Sequence, residues 1–230
     1  MTKIVVCVRA RDEEKNIARF IKSYWWADQT LILDGGSLDN TKGIAHNFDK
    51  VEVRDFTEKV YGNNGLWRNP EGRHINALIN WAKEYDPDWI VFDDCDSFPT
   101  KELQNDARDV FEKADAVGAM GIRAHHIYMY GKDKWLPGMN NNVGFVWAWK
   151  PKLKDMKAKE SEEWGIILQN FPEPQEGILL KFPHALLHDY CPDIDTVNKK
   201  LEFYRKNGRM CYTPHPLESG PLADMESWMV

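Results

Sequence analysis

No apolar run in this 230-residue chain approaches the about 18 residues that a membrane span needs. The opening MTKIVVCVRARDEEKN turns charged too early for the apolar segment of a secretory signal. Cysteine is scarce: Cys7, Cys95, Cys191 and Cys211 lie far apart, without a C-x-x-C pair. They read as reduced thiols of a cytosolic protein and exclude a disulfide framework. A basic excess is also missing, with 36 acidic against 30 basic residues and a net charge of −6. That argues against a general nucleic-acid binder, although a local basic patch remains open. There is no G-x-G-x-x-G fingerprint, no internal repeat and no clear linker. The expectation is one soluble, cytoplasmic domain over 1–230, whose membrane contact, if any, is peripheral.

What is present is alternation. KIVVCVR suits a buried strand, and Asp12 then opens a helical pattern with Ile17, Phe20, Ile21 and Tyr24 at three- and four-residue spacing. Thr30–Leu33 is a second strand, stopped by Asp34-Gly35-Gly36, and a short helix from about Asn40 to Asn47 leads to a third, Val51–Val53. A helix over Asn69–Glu84 precedes a fourth strand, Trp89–Phe92. Pro99-Thr100 starts a helix to about Ala114, and Ala116–Ile122 reads as the next strand. Such alternation predicts an α/β chain with a mostly parallel sheet and helices on both faces. Ligands of such sheets bind at the carboxyl ends of the strands. Arg9-Ala10-Arg11, Asp34-Gly35-Gly36 and Asp93–Asp96 all fall at such ends.

The second half is less regular. Gly131–Asn142 reads as a loop, Gly144–Lys150 and Ile178–Phe182 as strands, Ile194–Asn207 as an amphipathic helix, and the proline-bearing stretch from Thr213 as an extended tail. The chain therefore divides into a regular half, 1–123, a less regular half, 124–212, and a tail, 213–230.

The stretch DWIVFDDCDSFPT places three aspartates after an apolar strand. Carboxylates so close repel one another, and a cation would compensate. In extended chain Asp94 and Asp96 share a face while Cys95 points to the core, and two hard oxygen donors suit Mg²⁺ or Mn²⁺. A solvated loop with helix-capping aspartates is the alternative. LILDGGSLDNT offers an acid at a strand end followed by glycines, which suits a base or ribose. It also suits a plain tight turn with Asp39 or Asn40 as the helix cap.

Taken together, VRARDEEKNIARFIKSYWWADQTLILDGGSLDNT, the RNPEGRHINAL segment and Asp94-Cys95-Asp96 resemble, in order, the opening elements of family 2 glycosyltransferases. The resemblance covers about the first 120 residues and implies a GT-A fold, with a nucleotide-sugar and Mn²⁺ or Mg²⁺ at the strand ends. It implies that Ala10, Arg11 and Glu13 border the nucleoside, that Asp34 meets the base or ribose, and that Arg73 meets the base or diphosphate. Asp94 would approach ribose and metal, and Asp96 would ligate the metal. A late segment, FPHALLHDY, makes His188 a third metal ligand or diphosphate contact, with His184 as rival. Glu160-Ser161-Glu162-Glu163-Trp164-Gly165 resembles the segment that carries the catalytic base; Glu163 is the candidate, with Glu162 next to it. Asp12, Gly35 and Leu38 depart from the usual motif, which bears on base specificity.

The implied activity is metal-dependent, inverting transfer of one sugar, from a UDP-sugar by preference. The acceptor is open: a glycan, a lipid-linked sugar, a nucleic acid or a small molecule. The lysines at 150, 152, 154, 157 and 159 would face an anionic acceptor if they are more than a solvated loop. Trp135, Trp147 and Trp149 are sugar-stacking candidates if they are not core or loop anchors. Rival readings are a haloacid-dehalogenase-type phosphatase, which Phe98 does not suit, a sugar-nucleotide nucleotidyltransferase, and a binding module without transfer activity.

Overall fold

The computed structural model describes residues 2–58, 60–61, 67–68, 71–130, 134–135, 145–161, 165–181 and 183–191. The elements run β1 (Ile4–Ala10), α1 (Ile17–Ser23), β2 (Gln29–Asp34), α2 (Thr41–Ala45), β3 (Val51–Asp55), β4 (Val60–Tyr61), β5 (Trp67–Arg68) and α3 (Glu71–Lys83). They continue with β6 (Trp89–Asp94), β7 (Ser97–Pro99), α4 (Lys101–Ala116), β8 (Gly121–Ala124), β9 (His126–Tyr130), β10 (Lys134–Trp135) and β11 (Phe145–Trp149). Last come β12 (Lys157–Ser161), β13 (Gly165–Gln169), a 3₁₀ turn (Pro174–Glu176), β14 (Gly177–Leu179) and β15 (Leu186–Cys191).

A seven-stranded sheet in the order β14-β8-β11-β6-β1-β2-β3 forms the centre. Strands β6, β1, β2 and β3 are mutually parallel, and only β11 runs antiparallel to its neighbours. Alternation along β1 sends Ile4, Val6 and Val8 into one core and Val5 and Cys7 into the other. Both faces are covered, so the strands read as continuous apolar runs. Helices α1 and α4 contribute to the first core, and α3, with Ile75, Leu78, Ile79 and Ala82, to the second. In α4 the buried stripe Leu103, Ala107, Val110, Phe111 and Ala114 follows the helical period. Thr100 caps it by accepting from the Leu103 N–H.

Two expectations are corrected. The helix after β1 starts at Ile17 and not at Asp12, because Asp12 (φ 56°) belongs to a loop held from outside. The strand expected from Ala116 starts at Gly121: α4 continues through Ala116 and is ended by Gly118, whose φ of 67° is the left-handed stop of a helix. Lys134–Trp135, within the expected loop, is a short strand. The Ile194–Asn207 helix and the tail from Thr213 lie outside the described residues.

A second sheet, β10-β9-β15-β7, decides the site. The turn after β6 feeds directly into β7, and β15 pairs antiparallel with β7 so that His188 stands opposite Ser97. Register alone thus carries a residue from late in the chain to the aspartate turn.

Candidate functional site

At the carboxyl edge of β1 and β2 the two following loops are laced together. The Asp12 N–H donates to Ser37 Oγ (2.9 Å), and Asp12 Oδ1 accepts from the Leu38 N–H (2.7 Å). The Glu13 N–H donates to Thr41 Oγ1 (2.8 Å) and the Glu14 N–H to Asp39 Oδ2 (3.0 Å), while Glu14 Oε2 accepts from the Asn40 N–H (3.2 Å). These reciprocal bonds explain why acids crowd both loops: each supplies acceptors for the backbone donors of the other.

Asp34 is fully buried. Its Oδ1 accepts from the N–H groups of Gly36 (2.9 Å) and Ser37 (2.8 Å), and its Oδ2 from the Ser37 hydroxyl (2.5 Å). The side chain is turned into its own loop, and Gly36 supplies the positive φ (88°) that lets the chain wrap it. Contact with a base or ribose would require the loop to release it.

Strand β6 lies beside β1 with Arg9 paired to Asp94. The Arg9 Nη2 stands 3.3 Å from Asp94 Oδ1, and the guanidinium also covers the Phe92 ring. Burial pushes the Asp94 carboxyl up, but Arg9, His188 and His126 outweigh it and hold the group below its ordinary range. Asp96, one turn residue further, has its Oδ1 3.4 Å from His188 Nδ1. His184, the rival, instead has its Nε2 2.8 Å from Asp106 of α4. Cys95 points inward and donates to the Arg9 carbonyl; burial, then the charges of Glu13, Asp94, Asp96 and Asp93, push its thiol far up. Glu13 therefore lies within electrostatic reach of the aspartate turn, and its Oε2 accepts from Asn16.

Asp93 faces the other way. It is buried, accepts the Tyr24 hydroxyl at Oδ2 (2.5 Å) and the Asp94 N–H at Oδ1 (2.9 Å), and stands 3.7 Å from His126 Nε2. Tyr24 in turn accepts from the Trp147 indole N–H (3.2 Å). In the sequence Tyr24 is placed only in the apolar pattern of a helix, and His126 is not singled out.

Arg73 lies in the first turn of α3 with its Nη1 3.4 Å from Glu58. His74 beside it stacks on Phe56 and places Nε2 2.9 Å from the Leu33 carbonyl, which fixes that end of α3 at the same sheet edge. Glu163 and Glu162 lie outside the described residues. Among the described residues, which include Asp94, Asp96 and His188, no group of three or more His, Cys, Asp or Glu is gathered so as to hold a metal ion.

Two acceptor-half readings change. Trp147 and Trp149 are core residues with 1% and 0% exposure and cannot stack on a sugar; the side chain of Trp135 lies outside the described set. In the lysine run, Lys150 pairs with Asp115, Lys152 with Asp86, Lys154 with Glu176 and Lys157 with Asp155. Those four charges are answered within the chain, which removes the case for an anion-binding strip.

The glycosyl transferase family 2 profile matches residues 4–171. The chain belongs to this family. Its GT-A fold aligns with S. aureus TarS residues 1–349 at 14% identity and a TM-score of 0.55, covering 81% of this chain and 60% of that one. The same TarS fragment in complex with UDP-GlcNAc aligns at 14% identity and TM-score 0.54, covering 81% and 58%. A further S. aureus TarS structure aligns at 14% identity and TM-score 0.56, covering 81% of this chain and 36% of that one. This chain thus spans about three fifths of the TarS fragment. No curated protein matches the sequence. No helix among the described residues is long and apolar enough to cross a membrane.

Proposed function

We propose that this protein transfers one sugar from a nucleotide-sugar, with a UDP-sugar as favoured donor, to an acceptor hydroxyl, inverting the anomeric centre and using Mn²⁺ or Mg²⁺. The observation that carries the reading is the meeting of Asp94 and Arg9 with Asp96 and His188 at the carboxyl edge of the parallel strands of a family 2 chain. TarS, a similar fold, has been solved with UDP-GlcNAc, which supports the donor class.

The donor set fits the ion. Asp94 and Asp96 would supply hard oxygens and His188 an imidazole, a donor set of the kind Mg²⁺ or Mn²⁺ accepts. The three side chains are not gathered into a metal group in this structure, so on this reading the donor's phosphates would have to supply part of the site. When bound, the cation neutralises charge on the diphosphate that leaves.

Within this reading, Asp94, Asp96 and His188 hold the ion, and Ala10, Arg11 and Glu13 border the nucleoside. Asp34 keeps rigid the loop that receives the base or ribose, and Arg73 reaches the base or diphosphate. Glu163, or Glu162, takes the acceptor hydroxyl proton as its oxygen bonds to the anomeric carbon and the sugar–phosphate bond breaks on the opposite side.

Calorimetric titration of UDP with Mn²⁺, then with EDTA, in the wild type and in Asp96→Ala, tests this. The expected result is binding that needs both the metal and Asp96. No binding of UDP, GDP or CMP under any of these conditions would overturn the nucleotide-sugar reading.

A further inference from the structure

Behind the aspartate turn, Trp147, Tyr24, Asp93 and His126 form a chain of side chains that the transfer reading does not use. The Trp147 indole donates to Tyr24, Tyr24 donates to Asp93, and Asp93 stands 3.7 Å from His126 Nε2. The His126 ring lies 5.7 Å from the His188 ring, and His188 stands 3.4 Å from Asp96. The series starts in the core and ends on His188 and Asp96, two of the three residues assigned to the metal. Strand pairing puts it together: β9 and β15 are parallel neighbours with His126 opposite Leu186 and His188 opposite Tyr128. Residues 126 and 128, and likewise 186 and 188, share a side of this sheet because strand side chains alternate. The two histidines are diagonal neighbours on one face. Phe145 packs on the His126 ring as well, with centroids 5.0 Å apart.

We propose that His126 is a positioning residue: anchored by the Tyr24–Asp93 pair, it fixes the His188 ring in the orientation that serves Asp96 and a divalent cation. This rests on the metal-dependent donor reading above. The physical reason is orientational. A ring on one strand of a small sheet rotates about two torsions, and a cation site needs it held in one of them. Partners behind metal-binding histidines act in this way, and their loss typically weakens metal binding on the order of 10- to 100-fold. Asp93 also accepts the N–H of Asp94, so one buried carboxylate braces the turn and the histidine together.

Direct titration of Mn²⁺, followed by its electron paramagnetic resonance signal with and without UDP, tests the assignment in His126→Ala, His126→Phe, His126→Gln and Tyr24→Phe. The Phe variant keeps ring packing and loses the polar link to Asp93; the Gln variant keeps an N–H for Asp93. The expected result is a loss on the order of 10- to 100-fold in Ala and Phe, recovery towards wild type in Gln, and a smaller loss in Tyr24→Phe. Phe matching the wild type, or Ala binding Mn²⁺ unchanged, overturns the proposal. If the wild type takes up no Mn²⁺ with or without UDP, the donor reading has failed, and the His188 ring cross-peak in NMR spectra decides the positioning role. Movement or broadening of that peak in His126→Phe, restored in His126→Gln, upholds the role; an unchanged peak overturns it.

Discussion

The clearest perturbation is removal of the Asp34 carboxylate, because sequence and structure give it different work. Its three hydrogen bonds to Gly36 N, Ser37 N and Ser37 Oγ come from its own loop, and the side chain is 0% exposed. A hydrogen bond to a charged group contributes about 1.5–3 kcal/mol. Gly36 is exposed, so water can replace the carboxylate at its N–H, and the full sum is not reached. Asp34→Ala should therefore cost about 3 kcal/mol, one to two such bonds. Asp34→Asn keeps an oxygen for the two N–H groups but loses charge assistance and faces Ser37 with an NH₂, for about 1–2 kcal/mol. With a urea slope of about 3 kcal/mol/M, the alanine midpoint falls by about 1 M with the slope unchanged. Circular dichroism in urea reads the stability and UDP calorimetry reads the site. An alanine midpoint within about 0.2 M of wild type would refute the loop-holding role. If UDP affinity fell all the same, Asp34 would be a ligand contact, as its place at a strand end suggested.

Other consequences lie at the far edge of the sheet. Arg108 donates to the Trp26 carbonyl (3.0 Å), the Thr2 carbonyl (2.8 Å) and Asp28 (2.8 Å). Being partly exposed, it should cost about 2 kcal/mol on replacement by Ala, and UDP titration should be unchanged. Burial pushes Asp28 up, but the Arg108 guanidinium and the Ile4 N–H outweigh it, so its folded-state pKa is depressed. Its contribution is thus present above the ordinary carboxylate pKa of about 3.9 and is lost as pH falls through the folded value; Asp28→Asn should flatten the acid limb of a stability–pH curve. In Gly177→Ala a Cβ would meet the Gly121 carbonyl oxygen of the adjacent strand at 2.4 Å. Separating β14 from β8 should lower stability by about 1–3 kcal/mol in urea melts.

The fold was legible wherever local signals agree. β1, β2 and β6 are continuous β-rich runs, β3 alternates as an edge strand, and the helices between them repeat apolar residues at their proper spacing. Errors came where a distant partner overrules the local pattern. Asp12 looks like the start of a helix but is drawn into a loop by Ser37 and Leu38. The lysine run looks like a solvated or anion-facing strip, yet its partners sit at 86, 115, 155 and 176. For Trp147 and Trp149 the sequence offered core anchor or sugar platform, and the place of β11 between β6 and β8 makes them core. His126 carries no local mark at all; its meaning arises from the β9–β15 register.

The three aspartates illustrate how one turn divides its labour. A carboxylate cluster is tolerable only if each member has its own compensation. Asp94 has Arg9, Asp96 has His188, and Asp93 has the Tyr24 hydroxyl and the Asp94 N–H. Alternation sends Asp93 inward and leaves Asp94 and Asp96 on the open side. In this structure Arg9 answers the charge of Asp94, so on the metal-dependent reading proposed above a divalent ion at Asp94 would compete with that guanidinium. An Arg9 guanidinium freed in that exchange lies at the strand edge where a diphosphate would sit, and a guanidinium is well shaped for phosphate. Beside Arg73, which that reading gives to the base or diphosphate and which here stands at Glu58, Arg9 would then be a second guanidinium able to exchange a carboxylate for a phosphate.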